Sequence, residues 1–172
     1  MRLPLISTLL LSFFIAACST SAPEGITPVG DFDIKQYEGT WYEIVRKDHS
    51  FERGLQQVTA TYTLREDGQV DVVNRGFNTE TQNFEEALGN ARFAGANDEG
   101  FLEVSFFGPF YSAYIIWYLD DYQTALISGP DRDFFWILSR TPSLPDTEIE
   151  ALLALAEQNG FDLSDIIYVE HP

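Results

Sequence analysis

Apolar and polar residues alternate along most of this chain. From Gln57 to Arg65, Val58, Ala60, Tyr62 and Leu64 fall on one face, and Gln57, Thr59, Thr61 and Thr63 on the other. A period of two with β-branched enrichment predicts a half-buried strand. Asp67-Gly68 follows, a pair that accepts the positive φ angles of a tight hairpin. Gln69 to Phe77 is the predicted return strand, with Val70, Val72 and Asn74 on one face. Trp41 to Lys47 precedes this hairpin as a first strand. Further strands are predicted over Glu86 to Phe93, Gly100 to Phe107, Tyr111 to Leu119, Tyr122 to Ser128 and Phe134 to Ser139. Their connectors, such as Gly95-Ala96-Asn97-Asp98, Gly108-Pro109 and Gly129-Pro130-Asp131, are rich in turn residues. Eight strands at this even spacing fit an all-β fold, an up-and-down antiparallel barrel or a sandwich. No strand–helix–strand rhythm argues for a parallel sheet.

One helix is predicted, over Pro145 to Asn159. Ser143 with Asp146 resembles a capping box, Pro145 suits a first turn, and Asn159-Gly160 stops the helix. Ile149, Leu152, Leu153 and Ala156 form an apolar stripe expected to pack on the outside of the sheet. Ile166 to Val169 reads as a short final strand.

The N-terminus departs from this pattern. Met1-Arg2 precedes an apolar stretch from Leu3 to Ile15, and small residues follow before Cys18, the only cysteine. Such an order makes a secretory signal, too short to cross a bilayer, which needs roughly 20 residues. The run Ile15-Ala16-Ala17-Cys18 resembles the lipobox of bacterial lipoproteins. The resemblance implies removal of residues 1–17 and acylation of Cys18 as the lipid anchor. Ser19, in place of the aspartate that retains such proteins at the inner membrane, implies the outer membrane. Residues 18–30 carry two prolines and no apolar period, and read as a flexible tether to a domain over 31–172.

Charge narrows the partners. The net charge is −17, and cleavage would remove Arg2, leaving nine basic against 27 acidic residues. That balance opposes nucleic-acid binding, which needs clustered cations. An aromatic content of 15% supplies ample material for a core. His49 and His171 lack zinc-ligand spacing, adjacent acidic pairs on a strand face opposite ways, and no phosphate loop is present. No catalytic group and no cofactor are therefore expected.

Three short pieces carry a family resemblance. Gly39-Thr40-Trp41-Tyr42 opens the first strand, Asp121-Tyr122 marks a later turn, and Arg140 follows the last barrel strand. Together they resemble the three signature regions of the lipocalins. Longer runs, Phe51-Glu52-Arg53-Gly54-Leu55, Ser105-Phe106-Phe107-Gly108-Pro109-Phe110-Tyr111 and Trp136-Ile137-Leu138-Ser139-Arg140, resemble the bacterial outer-membrane members. The resemblance implies an eight-stranded up-and-down barrel with one C-terminal helix outside, in which Arg140 packs across Trp41 to close one end.

It also implies a cavity for fatty acids or lysophospholipids, whereas alternation alone allows a filled core. Counting parity from Trp41 turns Glu43 and Val45 inward, then Val58, Ala60 and Tyr62, then Val70, Val72 and Asn74. Leu102, Val104 and Phe106 share the inward face of the fifth strand. Trp117 is expected to join them, although the 111–119 run is apolar on both faces and leaves its parity open. Two functions follow from the resemblance: a membrane-tethered lipid carrier or scavenger, or an envelope scaffold for a protein partner. The two-faced strand offers a homodimer surface as a further use.

Overall fold

The computed structural model describes residues 20–172. Residues 1–17 and Cys18 lie outside that range. Eight strands form an antiparallel meander: β1 (Gly39–Lys47), β2 (Leu55–Leu64), β3 (Val70–Asn78), β4 (Asn83–Phe93), β5 (Phe101–Phe107), β6 (Phe110–Asp120), β7 (Thr124–Ser128) and β8 (Phe135–Ser139). The sheet closes because β1 pairs with both β8 and β2. Closure leaves no free edge at the β1–β2 seam, the weakness of an open antiparallel sheet. β2 pairs with β1 only over Gly39 to Tyr42, and β9 (Ile166–Tyr168) takes over along Val45 to Lys47. A one-turn helix α1 (Ile34–Tyr37) precedes β1, and α2 (Asp146–Gln158) follows β8.

Alternation divides the apolar residues into two cores. The inner one holds Trp41, Tyr62, Val70, Val72, Leu102 and Ile116 inside the barrel. The outer one, with Ile44, Val45, Ile115, Leu126 and Ile137, lies beneath Leu152 and Ala156 of α2. At about 25 cal/mol per Å² of apolar area, each buried Ile or Leu contributes about 2 kcal/mol to either core.

One bulge overturns the parity count in β1, and a second lies in β6. The β1–β8 register shifts between Glu43 and Val45. Ile44 and Val45 therefore both join the outer core, and Arg46 turns inward where Val45 was expected. In β6 the register shifts between Ile116 and Tyr118. Trp117 lies before that shift and shares the outward face of Ala113 and Ile115 by plain alternation, its ring stacked on Phe161 at 5.5 Å, so it does not line the barrel. An extra residue on one strand reverses the faces beyond it, which a strict period of two cannot anticipate.

Three further expectations change. Residues 22–30 are not the flexible segment expected: Ala22 and Ile26 pack in the outer core, and the Val29 amide donates to the Ile116 carbonyl at 2.9 Å. The Ser143–Asp146 box does not form; Pro145 caps α2 without a side-chain bond, and Glu148 accepts from Thr124 Oγ1 at 3.1 Å. The outward apolar residues of β6, Ala113, Ile115 and Trp117, are covered by α2 and Phe161, so they offer no free dimer face.

Candidate ligand cavity

The closed end is built where the three signature pieces meet. The guanidinium of Arg140 lies 4.1 Å from the centre of the Trp41 ring. It also donates to the carbonyls of Gln36 at 2.7 Å, Thr40 at 3.1 Å and Tyr122 at 3.2 Å. Gly39 has φ +94, and a Cβ there would stand 3.4 Å from Arg140 Nη1, so glycine meets two demands at once. Asp121 and Tyr122 both take positive φ, which turns the Tyr122 hydroxyl to accept from the Asp33 amide at 2.7 Å. Arg140→Ala should therefore cost about 2 kcal/mol, from the lost ring contact and carbonyl bonds, and lower Tm by about 4–8 °C. Calorimetry showing no change would refute that closing role.

Above this floor the barrel is hollow. A cavity of about 520 Å³ is lined by Glu43, Val58, Ala60, Tyr62, Val70, Val72, Asn74, Leu102, Val104 and Phe106, every position the parity count turned inward apart from Val45 and Trp117. A volume of this size suits a small organic ligand, and the wall is mostly apolar. Strand alternation supplies the lining residues directly, since each projects from the inward face of its strand.

At the bottom three tyrosines line up. Tyr114 Oη sits 2.8 Å from both Tyr37 Oη and Tyr62 Oη. Three hydroxyl protons serve two bonds, so one O–H is left to donate to a further acceptor. Burial pushes the pKa values of all three phenols up, and they stay neutral at any ordinary pH.

Toward the mouth lies a buried charge network. Arg46, 1% exposed, donates to Glu43 Oε1 at 2.7 Å and to the carbonyls of Glu52 at 2.9 Å and Leu55 at 3.0 Å. The arginine thereby ties β1 to the loop between β1 and β2. Trp136 Nε1 donates to Glu52 Oε2 at 3.2 Å. Burial and the neighbouring Glu52 raise the Glu43 carboxyl well above the usual range, and burial raises Glu52 too. Asn74 Oδ1 is buried without a partner, an acceptor available to a ligand.

His49 Nε2 lies 3.3 Å from Glu52 Oε2 but without hydrogen-bond geometry. Its ring is stacked on Phe51 at 4.1 Å. Burial first, and then Arg46, lower its pKa to about 4, so the ring is neutral and this contact is not an ion pair. Above its unfolded pKa of about 6.5 the histidine is neutral in both states, and its packing is fully available. As pH falls from about 6.5 toward about 4 the unfolded chain binds a proton that the folded chain resists, and stability is lost across that window. Glu43 and Glu52 act oppositely, gaining stability on acidification. The unfolding free energy of the native chain minus that of His49→Gln should therefore fall by about 2 kcal/mol from pH 7 to pH 4 in urea titrations. A flat difference would mean the ring is hydrated.

Sequence reasoning missed Arg46, Tyr37 and Tyr114. Arg46 escaped because only the bulge brings it to the face of Glu43, three residues earlier. Tyr114 carried a signal in the alternation of β6, obscured because both its faces are apolar. Among the described residues, no group of three or more His, Cys, Asp or Glu side chains is placed to hold a metal ion.

A family model described as "Lipocalin-like domain" matches residues 32–171. The chain is a lipocalin. It is 49% identical over 172 residues to "Outer membrane lipoprotein Blc" of Escherichia coli (strain K12), a match covering 99% of this lipocalin and 97% of that protein. The protein of the same name from Vibrio cholerae is 43% identical over 167 residues, covering 92% and 98%. Among solved structures, the allergen Per a 4 from cockroaches superposes with a TM-score of 0.68 at 22% identity, over 88% of this lipocalin and 96% of that chain. That likeness speaks for the fold: a closed eight-stranded barrel with one added strand and a helix outside.

Proposed function

We propose that this lipocalin is a membrane-tethered carrier of single-chain lipids in the cell envelope, anchored to the outer membrane through acylated Cys18. The observation that carries the reading is the mostly apolar cavity of about 520 Å³ inside the barrel. An acyl chain would lie against Val58, Ala60, Val70, Val72, Leu102 and Val104. The polar end of a fatty acid or lysophospholipid would meet the acceptors and donors set into the wall, Glu43 and Asn74 among them. Relatives named outer membrane lipoprotein, aligned over nearly the whole chain, support the anchored location. The carrier role needs no catalytic group.

Titration of the delipidated mature chain with a fluorescent fatty acid and a fluorescent lysophospholipid tests this. Saturable one-to-one uptake with quenching of tryptophan emission is the expected result. No uptake, together with a co-purifying envelope protein, would transfer the assignment to a protein scaffold.

A further inference from the structure

The first described residues emerge beside the open end of the barrel. The Glu24 carbonyl accepts from Arg132 Nη2 at 2.6 Å, and Arg132 belongs to the loop between β7 and β8. That loop borders the mouth, because its Phe134 stacks on Phe51 with ring centres 6.3 Å apart, and both rings line the cavity. Arg132 Nε also donates to the Asn159 carbonyl at 2.9 Å, where α2 ends after rising along the barrel. From Val29, bonded near the closed end through Gly100, the chain therefore runs up the outside of the barrel to its mouth. Cys18 precedes Glu24 by six residues, a reach of at most about 21 Å when fully extended.

The rim at that end is aromatic and exposed. Phe51 on the β1–β2 loop is 62% exposed, and Phe107 and Phe110, flanking the β5–β6 turn, are 83% and 66% exposed. Large exposed aromatics on two loops at the same end of the barrel mark a contact surface, and such rings favour the headgroup region of a bilayer. We propose that the open end docks on the membrane that holds the anchor, with Phe51, Phe107 and Phe110 seated among the lipid headgroups. The mouth then opens onto the lipid surface, and a single-chain lipid passes between bilayer and cavity without crossing water. This orientation rests on the reading of Cys18 as acylated. On the mouth loops Asp48, Glu80, Asp131 and Asp133 outnumber Arg53 and Arg132, so the surface it fits is a neutral one, not an anionic one.

The test uses the lipoprotein extracted from membranes and reconstituted into phosphatidylcholine vesicles whose chains carry bromine, a quencher of tryptophan. Reporters are placed at both ends: Phe110→Trp at the rim, and Glu66→Trp on the β2–β3 turn at the closed end. Relative to the parent chain, the rim reporter is expected to lose at least about half of its added emission and the closed-end reporter to lose none. In a chain carrying Phe51→Trp, adding Phe107→Ser and Phe110→Ser should relieve the quenching. Equal quenching at both ends, quenching at the closed end alone, or none at either would overturn the proposal. Intact mass of the same preparation reports the anchor separately: an unmodified Cys18 sinks that reading. Coupling the thiol to a maleimide-bearing lipid then tests the docking by the same quenching. Failure of the cavity reading would show instead as absence of lipid uptake in solution.

Discussion

Replacing Arg46 with methionine is expected to destabilise the fold by about 3–5 kcal/mol, measured by urea unfolding at pH 7. Among the described residues the guanidinium is the only cation on Glu43 Oε1, and it also holds two carbonyls of the β1–β2 connection. Methionine fills a similar volume but supplies no donor. Glu43 would then be buried beside Glu52 with nothing opposing its charge. Taking up a proton is its escape, so the variant should recover stability as the solution is acidified, because the folded state binds that proton more tightly than the unfolded one. Adding Glu43→Leu should recover about 2 kcal/mol, since removing both partners of a buried pair is far less harmful than removing one. A single variant within 1 kcal/mol of the native chain would mean that water reaches the pair.

The largest effect on binding is expected from Ala60→Trp. Ala60 pairs with Trp41 on one side and Asn74 on the other, and its small side chain leaves the lumen open at that level. An indole there takes the space of the acyl chain. Affinity for a long-chain fatty acid should fall about 100-fold or more, equivalent to about 2.7 kcal/mol. The fold should tolerate the change, because the added ring fills a void and displaces no packed neighbour. Calorimetry is the control: Tm is expected to stay within a few degrees of the native value. Undiminished binding would place the lipid outside the barrel, for instance in the open groove beside Arg65, Leu88 and Tyr111.

Much of the cavity wall was legible because barrel strands bury alternate residues, and that period is written directly in the residue types. Val58, Ala60 and Tyr62, then Val70, Val72 and Asn74, all face inward as a period of two requires. The signature pieces Gly39, Trp41, Asp121, Tyr122 and Arg140 were legible for another reason. Each answers a local demand, a positive φ or a ring under a cation, that few residues meet. Val45 and Trp117 were misplaced for different causes. Val45 lies just past a bulge, which depends on how two strands meet, not on either alone, whereas Trp117 sits on a strand apolar on both faces, where residue types do not say which face is inward.

The amino-acid pattern by itself determined the number of strands, the helix and the inward faces of the unbroken strands. These are local properties, fixed by side-chain period, turn residues and short motifs. Tertiary structure alone decided that the barrel closes around a hollow, that Arg46 joins Glu43 inside it, and that the N-terminal segment climbs to the mouth. Each depends on contacts between residues far apart in the chain, Arg132 with Glu24 and β1 with β8, where closure geometry and burial outweigh local preference.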